Sequence, residues 1–116
     1  MSISAQARLA RKSASTATLF AALGDPTRLA LVTRLGDGSR QSITQLAAGR
    51  ALTRQAISKH LRVLEEAGLV TSIKQGKEVL YVLDAGAVDD ARAFLDGISA
   101  GWDRAIARLK ALVEDE

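Results

Sequence analysis

Apolar positions along this chain recur mostly at helical spacing, and glycines separate the runs. Residues 5–23 are rich in Ala and free of Gly and Pro. Leu9, Thr16, Leu19, Phe20 and Leu23 form a stripe there, which predicts a first helix ended by Gly24. Asp25-Pro26 predicts the start of a second, because Asp caps well and Pro suits the first helical position. Leu29, Val32 and Leu35 line that helix, Gly36 is expected to close it, and Asp37-Gly38-Ser39 reads as a turn. Ser42 and Gln45 have capping-box spacing and predict a short helix over Ile43–Ala48, ending at Gly49. After Arg50-Ala51-Leu52, Thr53 is a further N-cap for a helix that runs to Gly68. A short helix, a tight turn and a longer helix in that order form a helix-turn-helix, at about 42–67.

The longer helix is sharply two-sided. At 100° per residue, Val63, Ala56, Ala67, His60, Leu64, Ile57 and Leu61 fall on one arc. Arg54, Gln55, Ser58, Lys59 and Arg62 fall on the other, in the first two and a half turns, with Glu65 and Glu66 nearer the C-terminal end. Such side chains bond phosphates and base edges, and the N-terminal part of a recognition helix is what reaches bases. Arg54, Gln55 and Ser58 are therefore candidates for base contacts, and Lys59 and Arg62 for phosphate contacts.

Leu69–Ile73 and Glu78–Leu83 read as two antiparallel strands around a Lys74-Gln75-Gly76-Lys77 turn. They form a wing at about 69–83 whose Lys74 and Lys77 would meet phosphates. From Val88 onward one long helix is expected. Val88, Ala91, Leu95, Ile98, Trp102, Ala105, Leu109 and Leu112 alternate at spacings of three and four, widened by Phe94, Ile106 and Val113. So long a seam exceeds what one small core uses, which points to pairing with a second copy. Gly97 and Gly101 each cost about 1 kcal/mol of helix stability relative to Ala. Close approach of another helix, or a local kink, accounts for them.

Composition narrows the function. The 116 residues suffice for a single domain and not for two. With no cysteine there are no disulfides and no thiolate metal sites. Two Phe, one Tyr and one Trp are too few to favour stacking on unpaired bases. No apolar run would span a bilayer and the N-terminal stretch lacks a signal-peptide core, so a cytoplasmic protein without membrane association is expected. Net charge is only +3, but residues 39–81 carry seven basic and three acidic residues, whereas 82–116 carry four basic and eight acidic. The middle of the chain is built to meet a polyanion and the end is not.

The order helix, helix, short helix, recognition helix, wing, long helix joins several specific segments. These are GDPTRLALV at 24–32, ITQLA at 43–47, AISKHLRVLEEAGLV at 56–70 and LYVL at 80–83. With them the chain resembles the ArsR-type (ArsR/SmtB) winged helix-turn-helix repressors from about residue 16 to 112. The resemblance implies a mainly α fold with a small β-hairpin, in one domain over 1–116. It implies a homodimer joined through the first and last helices, about 5–23 and 87–113, and repression from promoter DNA. Leu9, Leu19, Leu95, Ile98, Trp102 and Leu109 are then the expected interface residues. Several metal-sensing relatives carry a cysteine pair where this chain has Ser42 and Thr44, whose neutral hydroxyls do not replace thiolates for soft metals. Others bind zinc on the last helix through histidines, which this helix lacks despite Asp89, Asp90, Asp96 and Asp103. No metal or cofactor is expected.

His60, the sole histidine, falls inside the apolar arc, which favours a structural role over a phosphate contact or pH sensor. Arg28 fits equally a phosphate contact or a bond within the fold. Trp102 reads as core or dimer packing before ligand lining. There is no phosphate loop, no nucleophile–base pair and no metal cluster, so an enzyme is the weakest reading. The expected function is a sequence-specific, double-stranded DNA-binding repressor on an inverted repeat, with a small-molecule or protein effector left open. A winged-helix protein-interaction module and a non-specific architectural DNA binder are the rivals.

Overall fold

The computed structural model describes residue 4 and residues 15–114. Helix α1 occupies residues 15–23 of this stretch. The rest of the first helix expected over 5–23, with Leu9, lies outside the described residues. The order continues α2 (Pro26–Arg34), a 3-10 turn (Leu35–Asp37), β1 (Gln41–Ser42), α3 (Ile43–Ala47), α4 (Arg54–Glu66), β2 (Val70–Gln75), β3 (Glu78–Leu83) and α5 (Ala85–Glu114).

Local chemistry sets most boundaries. The Asp25 side chain accepts from the Arg28 amide at 3.0 Å, with Pro26 in the first turn of α2. Ser42 Oγ accepts from the Gln45 amide while Gln45 Oε1 accepts from the Ser42 amide, so both halves of the capping box are closed. Thr53 Oγ1 accepts from the Ala56 amide at 3.1 Å and opens α4. At the other end of α4, Gly68 at φ +81° allows two reversed bonds, Gly68 amide to Glu65 oxygen and Leu69 amide to Leu64 oxygen, each 3.0 Å. That is a Schellman turn, and its associated apolar pair, Leu64 and Leu69, is buried.

Besides β2, which starts at Val70 and runs on through Lys74 and Gln75 instead of ending at Ile73, three features depart from the sequence-based expectation. After α2 the chain tightens into a 3-10 turn, and the left-handed residue is Gly38 (φ +81°) rather than Gly36. The sheet has three strands in the order β1-β3-β2, because Gln41 and Ser42 pair with Tyr81 and Leu80. A two-residue strand shows no alternation from which it could be read. Helix α5 begins at Ala85, where Asp84 Oδ1 accepts from the Ala87 amide at 2.9 Å.

The core joins Leu19 and Ala22 of α1, Leu31, Leu35, Leu46, the Ile57, Leu61 and Leu64 face of α4, and Leu69 and Val70. Leu19, expected at the dimer interface, is thus only 5% exposed within a single chain. It belongs to the core because α1 turns its Leu19–Ala22 side inward, where it packs with the other helices. α5 behaves differently: it contributes no buried residue, and only Ala87 and Ala91 pack against the core. Phe94 meets Phe20 with ring centroids 5.6 Å apart. No helix among the described residues is long and apolar enough to cross a membrane.

Candidate nucleic-acid interface

Helix α4 is held by its buried face, so its other face is fixed in space. Ile57, Leu61 and Leu64 are fully buried. Arg54, Gln55, Lys59 and Arg62 are exposed and Ser58 is half-buried. The five candidate contacts therefore share the outward flank of one rigid helix, as the angular reading anticipated. None of the four cations Arg54, Lys59, Arg62 or Lys74 is tied up in an ion pair among the described residues.

The wing stands beside this flank. β2 and β3 pair in register from Val70–Leu83 to Gln75–Glu78, leaving Gly76-Lys77 as a two-residue turn. Gly76 takes φ +63°, the positive value that such hairpins place at their first central residue. Lys74 and Lys77 are exposed. Ser72 Oγ of β2 donates to Glu65 Oε2 of α4 at 2.7 Å and ties the hairpin to that helix. Tyr81 of β3 lies close to the same place. Burial, and then the negative charge of Glu65, push its phenol above the ordinary value of 10.0, against the opposing pull of Arg62.

A cleft of about 300 Å³ gathers Arg54, Lys77 and Glu78 with Ser42 and Thr44. The first turn of α4, the wing tip and the start of α3 therefore converge. The sequence marks Ser42 as an N-cap and sets it, with Thr44, opposite the metal-binding cysteines of relatives. Their place beside two cations was not legible, because it depends on β1 drawing the start of α3 against the wing. Among the described residues no group of three or more His, Asp or Glu side chains is arranged to hold a metal ion.

His60 and Arg28 face inward. Arg28 Nε donates to the Ala22 carbonyl at 2.6 Å, and Arg28 Nη1 lies 3.4 Å from His60 Nδ1. His60 Nδ1 is also 3.7 Å from Asp25 Oδ2. One arginine thus links the end of α1, the start of α2 and the middle of α4. That choice, between a phosphate contact and a bond within the fold, was open in the sequence.

Along α5 the apolar seam is uncovered. Leu95, Ile98, Trp102 and Leu109 are 51%, 40%, 66% and 62% exposed, and Ile106, Leu112 and Val113 extend the strip. Single chains seldom expose an apolar patch beyond a few hundred Å² without a partner for it.

A helix-turn-helix domain family matches residues 23–73, which include α3 and α4. Over 82% of the chain the sequence is 36% identical to the HTH-type transcriptional regulator Rv2034 of Mycobacterium tuberculosis, covering 85% of that protein. The structure overlays an ArsR-like transcriptional regulator from Rhodococcus sp. RHA1 with a TM-score of 0.72, at 40% identity over 86% of this chain and 93% of that one. The chain belongs to the ArsR family. It is a winged helix-turn-helix, DNA-binding transcriptional regulator. Another relative is the HTH-type transcriptional repressor SmtB of M. tuberculosis, 37% identical over 56% of this chain and 47% of that protein. In this ArsR-family chain, α3 and α4 form the helix-turn-helix and β2–β3 the wing.

Proposed function

We propose that this ArsR-family chain is a cytoplasmic, homodimeric repressor that binds a double-stranded operator as an inverted repeat. Each α4 enters a major groove, with Arg54, Gln55 and Ser58 toward base edges and Lys59, Arg62, Lys74 and Lys77 toward phosphates. The observation that carries the reading is the division of labour between two helices. α4 buries one face in its own core and leaves a cationic flank free beside a basic wing, and α5 leaves an apolar strip that stays exposed among the described residues. Pairing Leu95, Ile98, Trp102 and Leu109 with a second copy covers that strip and sets two α4 helices side by side. Half-sites then lie roughly 34–36 Å apart, one turn of DNA. The repressor relative supports the direction of the effect, and the concentration of positive charge in residues 39–81 supports DNA as the target.

Fluorescence anisotropy with the chain's own promoter fragment tests this. Expected is saturable binding of two chains per inverted repeat that survives excess non-specific duplex. Equal affinity for unrelated duplex of the same length defeats sequence specificity, and absence of DNA binding favours a protein-interaction role.

A further inference from the structure

A cleft of about 330 Å³ opens between α1, α2 and the second half of α4, on the inward side of Arg28. Ala21, Ala22, Val63 and Ala67 give it apolar walls, and Val63 is 38% exposed there. Its charged residues are Arg28 and Glu66, one of each sign, and no ion pair joins them among the described residues. We propose that this cleft is an effector site for a small zwitterion with an apolar side chain, a free amino acid in size and chemistry. The proposal rests on the DNA-binding reading above, since it concerns how that binding is relieved.

The ligand class follows from the walls. The volume sits at the lower end of small-molecule pockets, so the occupant is compact. A carboxylate is recognised by the Arg28 guanidinium, through paired charge-assisted bonds. An ammonium group is recognised by the Glu66 carboxylate. A plain organic acid leaves Glu66 facing a second negative charge, and a plain amine leaves Arg28 facing a second positive one. The four small and branched apolar residues between them suit a side chain such as leucine or valine.

The consequence for DNA follows from what Arg28 already does. Its Nε is committed to the Ala22 carbonyl by a short bond, whereas its bond to His60 is long, at 3.4 Å. An incoming carboxylate competes for the Nη atoms and breaks the weaker link first. That link is the one from Arg28 to the recognition helix. Occupation therefore replaces the Arg28–His60 link by a bridge from Arg28 through the ligand to Glu66 of the same helix, which re-seats α4 against α1 and α2 and shifts the two recognition helices of a dimer from the spacing that fits DNA. Couplings of this kind change affinity by about 5- to 150-fold.

The test uses the full chain, labelled with ¹⁵N, alone and on its promoter DNA. L-leucine, L-valine and L-phenylalanine are the probes, with isovalerate and isoamylamine as single-charge controls. Expected are saturable shifts of the Ala21, Ala22, Val63 and Ala67 amides with one of the amino acids by about 10 mM, the weak end of specific binding. The same amino acid lowers operator affinity at least about fivefold. Glu66→Gln binds the operator as before and loses both responses. The proposal is overturned if none of the three amino acids shifts those amides, if isovalerate acts as well as the amino acid, or if Glu66→Gln still responds. Failure of the ligand-free protein to bind its promoter strikes the DNA-binding reading instead, and the amide shifts still judge the cleft.

Discussion

His60 Nδ1 on the recognition helix lies 3.7 Å from Asp25 Oδ2, the same oxygen that accepts the Arg28 amide and caps α2. A local cap and a long-range tie thus meet on one carboxylate. The Arg28 amide bond holds the Asp25 carboxyl below its ordinary value of 3.8. Partial desolvation opposes this, and the nearby charges of His60 and Arg28 assist it. A depressed carboxyl stabilises the fold at pH above its unfolded value, and that contribution disappears as pH falls through the folded one. Asp25→Asn is therefore expected to melt lower at neutral pH and to show a shallower loss of stability below about pH 4. Asp37 is shifted the same way by Ser39, so the acid dependence shrinks rather than vanishes. Thermal melts by circular dichroism from neutral to acid pH read this out; an unchanged acid limb removes Asp25 from the account.

The Thr53 hydroxyl accepts the Ala56 amide at the start of α4. Thr53→Ala should cost about 1 kcal/mol, measured by urea unfolding. Because the start of α4 carries the proposed base contacts Arg54 and Gln55, operator affinity should fall as well. A stability within error of wild type means water caps the helix equally well.

Gln55 and Arg62 share the same flank but are assigned different targets. Gln55→Ala should relax sequence preference, narrowing the ratio between operator and mismatched duplex by about 1–3 kcal/mol at the position it reads. Binding to a panel of single-substituted operators checks it. A preference profile identical to wild type would remove Gln55 from the readout.

Leu109 is 62% exposed on a helix whose apolar strip stays open among the described residues. Leu109→Glu should leave the fold intact and drive the protein to the 12.3 kDa mass of one chain in light scattering, where wild type gives twice that. Operator affinity should fall with it, because two half-sites are no longer held together. A wild-type protein that is already monomeric at micromolar concentration contradicts the assembly.

Much of the fold was legible because its signals are local. Asp25, Ser42 and Thr53 announce their helices within three or four residues, and the bonds they make are those their types suggest. The outward flank of α4 followed from angle alone, because the opposite face is apolar apart from His60. What escaped depends on contacts distant in sequence. β1 exists only because Gln41 and Ser42 find β3 some forty residues later. Leu19 sits on a stripe that looks the same whether it faces the chain's own core or a partner. Arg28 could not be assigned until Ala22 and His60 were seen around it. Gly36 was mistaken for the end of α2 because a 3-10 turn carries the chain on to Gly38.

Contact between the outward flank of α4 and the DNA backbone is read most directly by the salt dependence of Arg62→Ala. Operator affinity is recorded by anisotropy across a salt series for wild type and variant, with Lys110→Ala on α5 as the control. Loss of one phosphate contact is expected to weaken binding about equally on every sequence and to reduce the slope of log affinity against log salt by about 1. Lys110→Ala should leave the slope alone. An Arg62→Ala protein with wild-type affinity and slope would show that this flank does not lie on the DNA.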